Sequence, residues 1–402
     1  MPKNVTLVLF AVFLLVFGTY ISGTILTPYA QSLGANLFII GVLSSSMYIV
    51  RLFIGTPLGK LADKKGTIKV LKYSLMLYPL IALAYYSSDK ISELIGSRLL
   101  HGVASAMMLP MAKAYIGEIS PPGKEGGYMG IYNTIILFAS GLGPLAAAVI
   151  ASYFGYRSTF ATLFFLALIS LLTVQYANRQ KESGYVNYNN PNISCAPEIK
   201  INSKSLPGPR YMDFGLLGLS FIETGLAVIS SFIGFFFILI PLNKGMGIIT
   251  TGFILAIYNI FSGIIQFPLG KLSDKKNKFF LILCSSIVAS VTLFLFPLAD
   301  SAGNMILVML IIALASAVIL SSSSALSAVV GRNLGMGYTM GFLGTTNSLG
   351  MVFGSFMLGL IPQKFGINYI FYVCSTTTLV SCIIFAVLWT RSKYNCKMID
   401  IK

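Results

Sequence analysis

Long apolar runs, broken by short polar intervals, make up most of this chain. The first reads "LVLFAVFLLVFG" over residues 7–18, with no alternation of polar and apolar positions. A half-buried strand alternates, and a strand of a membrane barrel alternates over about ten residues. Twelve runs instead stay predominantly apolar for at least 18 residues: 5–29, 37–58, 70–88, 91–116, 128–152, 157–178, 213–240, 248–269, 279–299, 303–330, 337–361 and 367–390. About 20 residues at 1.5 Å rise cross the ~30 Å hydrocarbon core as a helix, so each run is expected to span a membrane. The first run, behind Lys3, has the length of a secretory signal, but its apolar pattern continues through Ile25 and eleven spans follow. It is expected to remain as the first span. The pattern predicts an all-α membrane protein with twelve transmembrane helices.

Composition agrees. Only 10% of the 402 residues are charged, and mean hydropathy is +0.82, whereas a soluble domain carries roughly 25% charged residues. The net charge of +16 would suggest nucleic acid in a soluble protein, but its distribution argues otherwise. Loops on one side hold 21 Lys and Arg and loops on the other hold 4, with Arg51, Arg98 and Lys113 inside spans. The positive-inside rule places both termini in the cytoplasm of a multi-pass plasma-membrane protein. With the charge explained by topology, no nucleic-acid partner is called for. Cys195, Cys284, Cys374, Cys382 and Cys396 form no disulfide framework, and no His/Cys/Asp/Glu cluster has metal-ligand spacing. No metal or other cofactor is expected.

Residues 59–66 read "GKLADKKG" and residues 270–277 read "GKLSDKKN", an offset of 211. At that offset Gly34 meets Gly245, Gly41 meets Gly252, Pro57 meets Pro268, Gly130 meets Gly341, Gly143 meets Gly354 and Phe160 meets Phe371. Matching glycines and prolines report backbone geometry rather than bulk hydrophobicity. The chain therefore reads as two copies of a six-helix unit, related by a pseudo-two-fold axis along the membrane normal, since six crossings return the chain to its starting face. The first bundle is 1–178 and the second, with a short tail, is 213–402. Between them, 179–212 is polar and rich in Asn, Ser and Pro, a cytoplasmic linker. In the repeated phrase, Gly59 lets neighbouring backbone approach closely. Asp63, the only acid in a loop with five lysines, can accept from a facing helix N-terminus or a cation. The plain reading of Lys60, Lys65 and Lys72 is topology signalling.

Two six-helix bundles joined by such a linker, with this phrase between spans 2 and 3 and again between 8 and 9, resemble the major facilitator superfamily over essentially the whole chain. The loop motif is matched by Gly59, Leu61, Asp63, Lys64 and Gly66; the second copy keeps Gly270, Leu272, Asp274 and Lys275 but has Asn277 for the last glycine. The resemblance implies that these residues, with Glu118 before "ISPPGKEGG", latch the bundles together on the cytoplasmic side, and the loss of the last glycine suggests a weaker second latch. "RLLHG" at 98–102 is similar to the family's Arg-x-x-Gln-Gly signature, with His101 in place of Gln. Span 5 keeps Gly130, Gly143 and Pro144 of the antiporter motif, while Ala139, Ala147 and Ala148 replace three of its glycines.

Charges inside a bilayer are costly and mark function by default. Arg98, His101, Gly102 and Ser105 fall on one face of span 4. His101 is either a proton-exchanging group or a neutral, hydrogen-bonded ring. Glu223, about ten residues into span 7, is the only acid so deep, and burial suits it to bind and release a proton; a hydrogen-bonded structural acid is the alternative. Arg51 can face an acid, an anionic substrate or backbone carbonyls. Lys113, near the end of its span, can snorkel. Arg98, His101, Ser105, Arg51 and Glu223 are thus expected to line a substrate cavity, with Glu223, His101 and Arg98 serving proton coupling. The expected function is secondary active transport of a small organic solute by alternating access, in the form of a proton-coupled efflux antiporter of the drug- and sugar-exporting branch acting as a monomer. The alternatives are an uptake symporter, a receptor or lipid-moving protein, and a membrane-embedded enzyme. The last lacks paired acids or a nucleophile with its base.

Overall fold

The computed structural model describes residues 3–183, 213–237, 240–241, 244–245 and 248–392. Among them the regular structure is helical: α1 (Lys3–Ser32), α2 (Leu37–Lys65), α3 (Thr67–Tyr86), α4 (Ile91–Ile119), α5 (Glu125–Phe154), α6 (Tyr156–Ser183), α7 (Phe214–Ser231), α8 (Ile248–Lys275), α9 (Lys278–Leu295), α10 (Ala302–Leu334), α11 (Met336–Phe365) and α12 (Tyr369–Thr390). Eleven helices among the described residues are long and apolar enough to cross a membrane. Most of the expected linker, from residue 184 to 212, lies outside the described residues, as does the tail from 393.

Side chains and turns explain where the helices start and stop. Asn36, Asp213, Asn277 and Ser301 each accept from a first-turn amide of the helix they precede, satisfying donors that a helix start leaves open. Gly155 and Gly366, matched at the repeat offset, turn the chain with φ of +79° and +93°, a region only glycine enters freely. The seventh helix is less regular than its sequence suggests. After Ser231 it widens into a π-helical turn, Phe232–Phe236, and Phe232 packs against the rings of Phe237, Phe296 and Phe371.

The helices form two bundles with one packing scheme. In the first, α1 packs on α5 and α6, α4 on α2 and α3, and α3 on α6; adding six to each label gives the neighbours in the second. Small and hydroxyl-bearing residues fill these crossings. Ser170 donates to the Ala11 carbonyl at 3.0 Å and Ser74 to that of Ala104 at 3.0 Å, while Ser290 and Ser375 bond each other's backbone. Lipid supplies no hydrophobic drive for helices to associate, so close packing and such bonds must. Large apolar side chains accordingly point outward: Phe53 is 72% exposed and Leu145 62%, tolerable only where acyl chains are the solvent.

Candidate functional site

The two bundles meet along α2–α11 and α5–α8, and both seams are built from the repeated phrase. Both are tightest toward the lysine-rich end, where the phrases lie. Gly59 Cα lies against Gly337 so closely that an added Cβ would stand 2.4 Å from the Gly337 carbonyl oxygen; at Gly270 it would stand 2.2 Å from that of Gly126. Asp63 accepts from the Gly337 and Tyr338 amides at 2.7 and 2.8 Å, the first turn of α11. Asp274 accepts from those of Gly126 and Gly127 at 2.6 and 2.8 Å, the first turn of α5. Each carboxylate thus sits on the positive end of a helix in the other half. At the same offset of 211, Gly126 meets Gly337, so the two latches are images of one another.

The remaining latch residues divide. Gly66 is in a turn with φ +92° and open space around it, and Asn277 replaces that turn by capping α9 through Phe279 N at 3.0 Å. The missing glycine therefore costs the second latch none of its bonds, contrary to the weakness that the sequence suggests. Lys64 and Lys275 are exposed and form no ion pair among the described residues. Lys60 lies 5.6 Å from the centre of the Tyr338 ring across the seam, so it does more than set topology. Glu118 accepts from Thr67 at 2.8 Å, a bond within its own half. The antiporter glycines serve packing: Gly130 lies under the Gln266 carbonyl at the α5–α8 seam, and Gly143 against Tyr20 of α1. Ala139 and Ala147 are wholly buried, where a larger side chain would force the helices apart, whereas Ala148 is exposed.

Sequence reasoning missed a third tie. Arg332, in the last turn of α10, donates to Glu125 Oε1 and to the Ser120 carbonyl in the first half. Their repeat mates are Pro121, Met336 and Gly331, so a search for charges that break the repeat would have found it.

Toward the other end the described residues form no such seam. Gly41 and its mate Gly252, and Gly23 and its mate Gly234, have nothing within 4 Å of an added Cβ. Ion pairs there stay within a half among the described residues: Arg157 pairs with Asp89 and also donates to the Tyr29 hydroxyl at 3.3 Å, and Lys244 pairs with Asp300 at 2.7 Å. Among the described residues, the halves are tied together at the lysine-rich end and not at the opposite one.

Above the closure lie the deep charges. Glu223 pairs with Lys113 at 3.3 Å, with side chains 7% and 15% exposed. This corrects the assignment of Lys113 to snorkelling: its ammonium turns inward, across the seam, to the deep acid. Removing one partner of a buried pair costs about 3–5 kcal/mol, because the other charge is left uncompensated. His101 is buried, with Nδ1 3.2 Å from the Tyr85 hydroxyl and its ring edge-on to Tyr78. Ser105 bonds the Gly102 carbonyl of its own helix. Arg98 reaches Met47 Sδ at 3.7 Å, and Arg51 stacks over Tyr48. Arg98, His101 and Arg51 therefore cluster in the first half; Glu223 meets that half at Lys113, and Tyr132 lies within electrostatic reach of both Glu223 and Arg51. Here the symmetry fails: Ser262, Met309, Ile312 and Ser324 occupy the places of Arg51, Arg98, His101 and Lys113 in the other half.

Two matched helical bundles, closed by mirrored latches at one membrane face and enclosing one-sided charges, define a membrane transporter. The sequence profile of the Major Facilitator Superfamily matches residues 8–338 and 224–395, and the chain belongs to that superfamily. It is 24% identical over 384 residues to an uncharacterized MFS-type transporter of Methanocaldococcus jannaschii, covering 96% of this chain and 97% of that one. Over 235 residues, 56% of this chain and 58% of the relative, it is 27% identical to the quinolone resistance protein NorA of Staphylococcus aureus. Its fold matches the human organic anion transporter MFSD10 with a TM-score of 0.75 at 14% identity, over 96% of this chain and all of that one.

Proposed function

We infer that this transporter is a proton-coupled efflux antiporter of the plasma membrane, exporting a drug-like or sugar-like organic solute, with its lysine-rich end and both termini in the cytoplasm. The observation that carries this reading is the Lys113–Glu223 pair. The single deep acid finds its cation in the opposite half, so its charge and the closure of the seam are thermodynamically linked. Protonation of Glu223 from the outer side removes the attraction to Lys113 and favours opening toward the cytoplasm. Proton release there, with solute taking the site, restores the pair and the closure. Each half supplies the other's latch, which suits a single chain as the working unit. The partial likeness to a quinolone resistance protein supports export of a drug-like solute.

The test uses purified protein in liposomes under an imposed pH gradient, with quinolones and simple sugars as probe solutes. The parent should accumulate a probe in response to the gradient. Glu223→Gln, nearly isosteric and unable to release a proton, should still exchange solute for solute but lose gradient-driven accumulation. Accumulation by Glu223→Gln equal to the parent's would make Glu223 structural and overturn the reading.

A further inference from the structure

Every ion pair among the described residues involves Lys113, Arg157, Lys244 or Arg332. Arg51 and Arg98, the other two cations within the spans, have no carboxylate partner. Arg51 is only 8% exposed, makes no hydrogen bond among the described residues and lies over the face of Tyr48, 5.6 Å from its centre. Arg98 reaches two neutral acceptors, the Met47 thioether and the Tyr85 hydroxyl, and its buried Nε makes no hydrogen bond. A guanidinium carries five N–H donors, and inside a membrane such groups are normally paired with acids or carbonyls. These two leave most of their capacity unused.

They also share one place. Met47, which Arg98 touches, precedes Arg51 by one turn of α2, and both guanidiniums act electrostatically on His101. Arg51, Gly55 and Gly59 recur every fourth residue on one face, and Gly55 packs against Thr345 and Gly341 of the other half. Arg51 therefore stands directly above the closed seam, on the face turned toward the second bundle. Tyr20, Tyr48 and Tyr78 lie within its electrostatic reach or stacked on it. Glu223 is committed to Lys113, so the region keeps two uncompensated positive charges.

The geometry points to an anion site: Arg51 and Arg98 bind the carboxylate or equivalent anionic group of the transported solute, and the tyrosines hold its aromatic or apolar body. This deepens the transport reading and rests on it. Export of an anion against a proton moves net positive charge inward, so an inside-negative potential drives both ions in the required direction.

Binding to the purified full chain, measured by calorimetric titration and thermal stabilisation, tests the site without requiring flux. Three probes share one ring system: 1-naphthoate, 1-naphthylmethylamine and 1-naphthalenemethanol. The carboxylate should bind most tightly to the parent protein. Arg51→Gln should weaken it by about 30-fold or more, the scale for losing one partner of a buried charge pair, Arg98→Gln should weaken it too, and Arg51→Lys should recover part of the loss. Binding of the amine or alcohol should not fall in these variants. The proposal fails if the amine or alcohol binds the parent as tightly as the carboxylate, if no carboxylate binding occurs, or if a folded Arg51→Gln protein binds it unchanged. Should Arg51→Gln not fold, the three-probe comparison on the parent still decides. Proton-coupled flux with no preference for the anion would sink this inference alone; anion binding with no coupled flux would sink the antiport reading alone.

Discussion

Replacing Asp63 by asparagine leaves one acceptor oxygen for the two amides at the start of α11 and turns an NH2 group toward the other. One charge-assisted bond is lost, and the remaining one is weakened along with the attraction to the helix dipole. Hydrogen bonds to charged groups contribute about 1.5–3 kcal/mol, but Asp63 is exposed and Asp274 only partly buried, so screening reduces this to roughly 1–2 kcal/mol each. At 1.4 kcal/mol per factor of ten, each substitution should raise the population open at the lysine-rich end about 5-fold to 30-fold. Because both latches act on the same equilibrium, Asp63→Asn with Asp274→Asn should multiply the effects, to roughly 30-fold to 700-fold. Asp274, less exposed and likewise held by two backbone amides, should lose at least as much as Asp63. Ala328 is a suitable reporter: it belongs to α10, yet it is fully buried in the first half's core cluster beside the seam. In a background lacking the five natural cysteines, maleimide should label Ala328→Cys only when the seam opens, at a rate proportional to the open population. Labelling that neither accelerates in the single variants nor accelerates further in the double variant would refute the view that these carboxylates hold the closure.

Gly59→Ala and Gly270→Ala should pry the same seams apart by overpacking, at about 1–3 kcal/mol each, and speed Ala328→Cys labelling; Gly41→Ala, with nothing within 4 Å, should leave it unchanged. If all three alanines behave alike, close backbone approach is not what closes the molecule. Cysteines placed in the 179–212 linker should react with impermeant maleimide only from the cytoplasmic side, and labelling from outside in intact cells would reverse the proposed orientation.

The bundle architecture was readable in the sequence because lipid forces helices to be long and apolar, and because glycine and aspartate recur at one offset only where backbones meet. Asp63 facing a helix N-terminus was legible for the same reason: an acid among lysines serves no purpose in topology. What the sequence could not show was which of the deep charges pair between halves. Lys113 and Glu223 are 110 residues apart, and a lysine six residues from a helix end is as compatible with snorkelling as with turning inward. The side chains decide by packing, which periodicity does not encode. The π-helical turn after Ser231 was likewise invisible, since "SFIGFFF" continues the apolar run and the widening answers to the ring cluster it packs against.

Each half carries both parts of the seam: an aspartate to give and a helix start to receive. A chain severed in the linker should therefore reassemble from its two pieces in the membrane, and the covalent connection matters for stoichiometry more than for closure. Two copies of the first half could also dock, Asp63 of each upon Gly126 and Gly127 of the other. Such a pair would be able to close but would lack Glu223 and carry Arg51 and Arg98 twice. A single polypeptide holding both copies allows the two centres to differ, so that the cations stand in one and the acid in the other.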